Sequence, residues 1–365
     1  MEKLFQQSIS SLQRFYQFSP EDLKILEDAD MAADELEVSE FEHYIKREVN
    51  PEIPKVLAKH NLLGTPINKE YGGRGANPLV AVLVKQRLGQ LGMGISSFFN
   101  VQVLLGCISV QRWGTEEQKE KYLKPALKGE VIFAFALTEP DTGSNASAIN
   151  TTYEKKGDKF ILNGEKYLIT NGSIATHVIV FARSKSDPKE KCALIVDTKS
   201  PGFKVAMKLE EKIGLFTSDT AMLQFENIEI SESCVLGQVG KGMHVAYSGL
   251  MNGRLGVASG CVGVIEGSLK ASIARAKDRV QFAKPIGKYQ LIQRHIAEIR
   301  QNLEMARWPL YFAAMRKAEY DKDPENKELT AEVDAQISIA KKIAARLAGE
   351  SADRAVQIYG GFGSS

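Results

Sequence analysis

The sequence has few cysteines and histidines, and none stands in a metal-binding pattern. Its 365 residues include four cysteines, at positions 107, 192, 234 and 261, and no pair has CxxC spacing. The five histidines are scattered, so HExxH is absent as well. A disulfide framework, a structural zinc site and metal catalysis are therefore not expected, and the cysteine usage indicates a reducing compartment.

An excess of charge of one sign is also lacking. Lys and Arg number 47 against 45 Asp and Glu, so the net charge is 47 − 45 = +2. Nucleic-acid-binding proteins usually carry a strongly basic face, so no nucleic-acid partner is expected. The signatures GxGxxG, P-loop and GxSxG are absent, which argues against nicotinamide-Rossmann, kinase and hydrolase classes.

No secretory signal or membrane span is predicted. Residues 1–15 contain no continuous apolar core and no small-residue cleavage site. The uncharged run 88–111 is long enough to cross a bilayer, but its glycines, serines, Asn100 and Gln102 favour a helix buried in a protein core. We therefore expect a cytoplasmic protein, and a processed mitochondrial form stays open.

Apolar spacing divides the chain into three parts. Residues 1–130 have helical spacing, residues 131–237 form short alternating runs, and residues 238–365 return to long helices. The sequence therefore predicts an α+β fold with an N-terminal all-α domain, a middle antiparallel β domain and a C-terminal helical bundle. The long helices are predicted over 243–282, 290–319 and 330–359.

Local signals refine this division. Ser19 before Pro20 predicts a helix start, and Thr115 with Gln118 predicts a capping box. The pair Asn163-Gly164 predicts a turn between two strands.

Six glycines of the first long C-terminal helix recur at spacings 4, 3, 4, 3 and 4, at positions 249, 253, 256, 260, 263 and 267. This spacing places them on one helix face. Each glycine costs about 1 kcal/mol relative to alanine in a helix interior. Close packing of a second helix and a flat ligand both explain the stripe, and the two are compatible if the stripe is divided along its length.

Two polar segments are candidates for ligand binding. Residues 133–145 pass from an apolar strand into a hydroxyl-rich turn, whose N–H groups could bind a polar ring edge or a phosphate. Arg279 and Gln290 lie on either side of a connection that contains Pro285 and Gly287. Their side chains could together bind a phosphate or a nucleotide. A plain β-turn and a solvated helix end explain the same residues, so both interpretations stay open.

Six segments occur in an order that resembles the acyl-CoA dehydrogenase flavoproteins, and the resemblance covers essentially the whole chain. The segments are NKEYGG at 68–73, WGTEEQ at 113–118, LTEPDTGS at 137–144, ITNG at 169–172, RVQFAKPIGKYQ at 279–290 and QIYGG at 357–361.

The resemblance implies a non-covalent FAD enzyme that converts an acyl-CoA to the trans-2-enoyl-CoA. A carboxylate removes the α-proton, hydride leaves the β-carbon for the flavin, and electrons pass to an electron-transferring flavoprotein. The resemblance also implies a homotetramer built as a dimer of dimers. The acyl length is not fixed by these segments, and short or medium chains are expected.

The resemblance assigns residues to the site. Flavin contacts within one subunit are implied for Phe135, Ala136, Leu137, Thr138, Ser144, Leu168, Ile169 and Thr170. Contacts to the FAD of a neighbouring subunit are implied for Arg279, Phe282, Gln290, Gln357, Gly360 and Gly361. Contacts to the substrate are implied for Ser144, Met251, Asn252, Gly253 and Arg254.

Three positions depart from the family pattern. Leu168 stands where Trp is frequent, Asn145 where Asp is usual, and Ala283 where Gly is usual. The change at Leu168 bears on shielding of the flavin and on electron transfer.

The general base is unknown. Relatives carry the catalytic Glu in a segment that would lie beyond Ser365, or at the position of Gly253, which has no side chain. Glu266 lies further along the same helix, and we do not assign it the role of the general base. A shortened gene or protein is the preferred explanation. The alternatives are a base-less FAD-binding or structural subunit of a mixed oligomer, and a flavin monooxygenase or oxidase on the same fold.

Overall fold

A computed structural model describes residues 4–364, and these form two compact units. The first unit contains residues 4–34, 77–96 and 254–364, and the second contains residues 35–76 and 97–253. Ser365 lies outside the described residues.

Helices dominate both ends of the chain, as the sequence predicts. They are α1 Leu4–Leu12, α2 Pro20–Lys46, α3 Ile53–Lys59, α4 Pro78–Gly89, α5 Met93–Phe99, α6 Ile108–Trp113, α7 Glu116–Gln118, α8 Lys124–Leu127, α9 Gly242–Asp278, α10 Gln290–Tyr320 and α11 Lys327–Tyr359. Single π-helical segments, Asn100–Cys107 and Lys119–Leu123, join α5 to α6 and α7 to α8.

Both predicted helix starts are confirmed. The Oγ of Ser19 accepts a hydrogen bond from the backbone N–H of Asp22 at 3.1 Å, and the Asp22 carboxylate accepts one from the Ser19 N–H in return. Thr115 and Gln118 form the complete capping box at the start of α7. These bonds satisfy N–H groups that a helix leaves without partners at its first turn.

Strands occupy the middle of the chain. They are β1 Phe133–Ala136, β2 Thr152–Lys156, β3 Lys159–Thr170, β4 His177–Ser184, β5 Lys191–Asp197, β6 Phe203–Lys208, β7 Thr220–Ser231, β8 Val235–Leu236, and the short pair β9 Val280–Gln281 and β10 Lys284–Pro285. The large sheet has the order β6-β7-β3-β2-β4-β5-β8, with β1 paired to β4. Its pairs are antiparallel except for β1 and β2, which run parallel to β4.

Alternation along the central strands builds two hydrophobic cores in the second unit. Phe133 and Phe135 of β1 pack with Ile179 and Phe181 of β4 in one core, which the helices before β1 complete. The intervening residues of the same strands face the other core, together with β3 and β7. Side chains of a strand alternate between its two faces, and both faces of β1, β4 and β5 are buried in a core. These strands are therefore nearly continuous apolar runs in the sequence.

Helix packing explains the second half of the glycine stripe. In the first unit, a Cβ on Gly263 would lie 2.2 Å from the carbonyl oxygen of Gln86, and one on Gly267 would lie 2.8 Å from that of Gln90. A Cβ on Gly89 of α4 would meet the carbonyl of Gly260 at 2.6 Å. Side chains at these positions would force α4 and α9 apart, so glycine is required by their backbone contact.

Two local predictions are wrong. Asn163 and Gly164 lie inside β3, where a bulge and a φ of +143° at Gly164 let the strand pass Thr151 closely. The first long helix ends at Asp278, not at 282, because Phe282 and Ala283 form the turn of the β9–β10 hairpin. In both cases pairing with a neighbouring strand decides a conformation that the local sequence pattern does not.

Two helical segments are long and apolar enough to cross a membrane, Met93–Trp113 and Gly242–Asp278. Within their most apolar windows, 83% of the first and 56% of the second is buried inside the protein, as expected for core helices.

Candidate functional site

The turn after β1 is held by a buried ion pair. The Nζ of Lys166 on β3 lies 2.8 Å from a carboxylate oxygen of Glu139, and the two side chains are 0% and 3% exposed. Lys166 also donates to the carbonyl of Leu137 at 3.1 Å. The Glu139 carboxylate accepts hydrogen bonds from the backbone N–H groups of Asn150 at 2.5 Å and Thr151 at 2.9 Å. Every charge of the pair therefore has a partner.

Both members of this pair are ionised near neutral pH. Burial opposes ionisation of Glu139, but the Lys166 ammonium and the hydrogen bonds outweigh it and lower the pKa of the carboxyl. Burial lowers the pKa of Lys166 to about 8, although the Glu139 carboxylate acts in the opposite direction. The turn thus rests on a charge that is sensitive to mildly alkaline pH.

A bulge in β3 follows directly after Lys166. The register of β3 against β7 shifts between Lys166 and Ile169, and Leu168 adopts a φ of +58° with its side chain 52% exposed. The N–H of Tyr167 donates to the carbonyl of Thr138 at 2.9 Å. The bulge therefore joins the segment 166–170 to the turn 137–144, two segments that the resemblance assigns to the flavin.

The resemblance assigns residues of segments 135–144 and 168–170 to the flavin, and we call these residues the first half-site. Their side chains divide between core and surface. Those of Phe135, Ala136, Leu137 and Ile169 are buried, and the Phe135 ring packs against Phe181 with centroids 4.7 Å apart. Ser144 is exposed, Thr138 and Thr170 are partly buried, and Leu168 is half-exposed. Any ligand contact from the buried group would therefore go through the backbone.

The second half-site lies in the first unit, at the β9–β10 hairpin. Phe282 and Ala283 both have positive φ, +50° and +62°, as a two-residue hairpin turn requires. Phe282 is 89% exposed at the tip, and the predicted residues Arg279, Gln290, Gln357, Gly360 and Gly361 are exposed as well.

A cavity of about 550 Å³ lies beside this hairpin. The Arg275 guanidinium lies over the rings of Tyr359, at 5.3 Å, and Phe362, at 5.0 Å. Its buried Nε has no hydrogen-bond partner among residues 4–364. The cavity is lined by Arg275, Arg279, Gln281, Ile286, Ile292, Ile358, Tyr359, Gly360, Gly361 and Phe362. It combines two cations with apolar walls, which suits an anionic ligand with a flat ring.

The residues assigned to the substrate lie on α9. Met251, Asn252 and Gly253 are buried in the second unit, and a Cβ on Gly253 would lie 3.1 Å from Leu105. Arg254, in the first unit, donates to the Asp334 carboxylate at 2.6 Å and to the Ser338 hydroxyl at 2.9 Å.

Glu266 has a structural role within the helical bundle of the first unit. It is fully buried and accepts hydrogen bonds from Ser8 and Gln90, both at 2.6 Å. Burial raises the pKa of this carboxyl. We assign it no part in proton transfer.

A larger cavity, of about 800 Å³, lies elsewhere in the second unit, between residues 46–54 and 208–220. It borders Asn171 but contains none of the predicted site residues. Its basic residues Lys46, Arg47, Lys208 and Lys212 are balanced by four acidic ones, Glu48, Glu210, Glu211 and Asp219.

Sequence reasoning missed the Lys166–Glu139 pair and the aromatic contacts of Arg275. A signal for the first exists, since a lysine at an inward position of an alternating strand calls for a buried partner. No local signal joins Arg275 to Tyr359, because they lie on different helices.

Comparisons with known proteins agree over most of the chain. Family profiles described as the N-terminal, middle and C-terminal domains of acyl-CoA dehydrogenase match residues 20–130, 134–228 and 240–365. The chain is 38% identical to an acyl-CoA dehydrogenase of Bacillus subtilis over 85% of its length and 79% of the relative's.

Two further proteins extend the comparison. The caffeyl-CoA reductase-Etf complex subunit CarC of Acetobacterium woodii is 35% identical over 86% of this chain and 80% of its own. The structure of butyryl-CoA dehydrogenase from Megasphaera elsdenii superposes with a TM-score of 0.88 and 33% identity, covering 96% of this chain and 90% of that one. The predicted α+β fold is thereby confirmed, and the chain belongs to the acyl-CoA dehydrogenase family, oxidoreductases that act on CH–CH bonds.

Proposed function

We propose that the protein catalyses the FAD-dependent α,β-dehydrogenation of an acyl-CoA to the trans-2-enoyl-CoA. The observation that carries this proposal is the junction of two family segments in the second unit. The turn 137–144 and the bulge 166–170 are far apart in sequence but share the Lys166–Glu139 pair and the Tyr167–Thr138 hydrogen bond. The joined segments carry the exposed Ser144, the partly buried Thr138 and Thr170, and the half-exposed Leu168.

The residues of both half-sites fit FAD. Arg275 and Arg279 supply positive charge for a diphosphate, and the partnerless Nε of Arg275 is a donor available to such a ligand within the described chain. Ile286 and Ile358 supply apolar wall for a ring. When bound, FAD supplies the hydride acceptor of the reaction.

The chain's own residues would bind and orient the other components. Ser144 and Thr138 offer hydroxyl groups at the turn, and Leu168 covers a ring face with an aliphatic side chain. Met251 to Gly253 would lie beside the substrate, with Gly253 packed against Leu105. We propose a short or medium acyl group. Removal of the α-proton requires a positioned base, and we assign this role to none of residues 4–364.

We propose an electron-transferring flavoprotein as the electron acceptor and a homotetramer, a dimer of dimers, as the assembly. The relative named as an Etf complex subunit supports the first. An apolar stripe on α10 supports the second: Met305, Trp308 and Phe312 follow helical spacing and are 46%, 37% and 45% exposed. The bacterial relatives support a cytoplasmic location.

An anaerobic titration of purified protein with acyl-CoAs of different length tests the function. We expect the visible absorbance of the flavin to bleach with one length class, which would also identify the substrate. A spectral shift on binding without bleaching would support the base-less subunit instead. Protein that takes up no added FAD would refute the proposal. Light scattering of the same sample gives the oligomeric state.

A further inference from the structure

The Lys166–Glu139 pair is an almost fully buried ion pair within the predicted flavin segments, with side chains 0% and 3% exposed. Burying two charges costs more solvation free energy than their attraction returns, unless further hydrogen bonds satisfy both groups. Apolar residues would hold the turn against β3 at lower cost, so the pair requires an explanation beyond stability. The hydrogen bonds of the pair supply this explanation, because they join it to main-chain atoms of the turn 137–144 and of residues 150 and 151.

These main-chain bonds fix the turn at several points. Lys166 binds the Leu137 carbonyl, and Glu139 binds the N–H groups of Asn150 and Thr151. Lys166 immediately precedes the bulge whose Tyr167 N–H binds the Thr138 carbonyl. With the carbonyls of residues 137 and 138 both engaged, the peptide planes of the turn have little freedom, and the direction of their remaining N–H groups is set.

We propose that Lys166 and Glu139 are positioning residues, which set the backbone of the turn 137–144 and the bulge 166–170 in the geometry that binds the flavin. This inference rests on the proposed function. The residues act through the backbone and need not touch the cofactor themselves.

The pair also gives flavin binding a defined pH dependence. Lys166 is opposite apolar Leu223 of β7, and the charged group that acts on it from the turn is Glu139. Above its pKa of about 8, Lys166 loses its positive charge and the Glu139 carboxylate remains buried without a counter-charge. The turn then loses the ion pair between Lys166 and Glu139, so FAD affinity should fall as the pH rises through this value.

The test measures FAD affinity of the apoprotein between about pH 6 and pH 9. Single loss of one charge could unfold the protein, so the principal variant is the uncharged pair E139Q/K166M. The control is K159M, which removes a lysine of the same strand from an exposed pair with Glu229 at 2.7 Å. The variant K166R keeps a positive charge at every pH used. Circular dichroism and thermal denaturation establish that each protein is folded.

We expect wild type and K159M to bind FAD about tenfold more weakly at pH 9 than at pH 7, with a midpoint near the pKa of Lys166. Folded E139Q/K166M should bind about tenfold more weakly at pH 7 and show no midpoint. Folded K166R should bind FAD about as tightly as wild type does at pH 7, and it should also show no midpoint. A merely structural pair would not move this pH profile.

Folded E139Q/K166M with wild-type affinity and a wild-type pH profile would overturn the inference and leave the proposed function intact. Wild-type protein that binds no FAD at any pH would overturn the proposed function, and this inference with it.

Discussion

Replacing Gly263 with alanine tests the contact between α4 and α9. The new Cβ would lie 2.2 Å from the Gln86 carbonyl oxygen and 2.8 Å from two backbone atoms of Gly89. Ordinary van der Waals contact begins at 3.4 Å, so the helices must separate locally by 3.4 − 2.2 = 1.2 Å. None of these neighbours is a flexible side chain that could rotate away.

The size of the effect follows from what this separation disturbs. Ser259 donates to the carbonyl of Val82 at 2.5 Å, and buried Lys85 donates to the carbonyl of Gly256 at 2.5 Å. Both bonds join α4 to α9 and would lengthen. Overpacking costs about 1–3 kcal/mol and each weakened buried bond about 1 kcal/mol, while alanine returns about 1 kcal/mol of helix propensity. The expected net loss is about 2–4 kcal/mol.

Thermal denaturation measures the change against a matched control. Gly349 also lies inside a long helix of the first unit, but nothing lies within 4 Å of a Cβ at that position. We expect G263A to lower the Tm by about 4–16 °C and G349A to raise it by about 2–4 °C. A G263A protein as stable as G349A would show that α4 and α9 are not in backbone contact.

Two further predictions concern strain and buried charge. Ala283 has a φ of +62° beside Phe282 in the hairpin turn, so A283G should stabilise the protein by up to about 1 kcal/mol, and a lower Tm for A283G would contradict the strained turn. Glu266 is buried among Ser8 and Gln90, and because burial raises its folded pKa, its contribution to stability is present at low pH and is lost as the pH rises above 4.5. Urea denaturation across this range should show a decline for wild type that is absent in E266Q, and equal declines would refute this role of Glu266.

Short-range patterns predicted the architecture because they depend on periodicity. The alternation of β4 and β5 and the helical spacing of α10 and α11 each record one face that must be buried. Capping at Ser19 and Thr115 was predictable for the same reason, since a cap acts within three residues. The turn at Asn163-Gly164 was not, because pairing with β2 and β7 keeps both residues inside β3.

The sequence by itself determined the α–β–α order, the helix starts and the family, since each depends on local spacing or on collinear segments. The tertiary structure decided which residues support the candidate site. Lys166 meets Glu139 across 27 positions only when β3 passes the turn after β1, and Arg275 lies over Tyr359 only when α9 and α11 converge. The physical reason is that burial and ion pairing depend on three-dimensional neighbours, which spacing along one strand or helix does not specify.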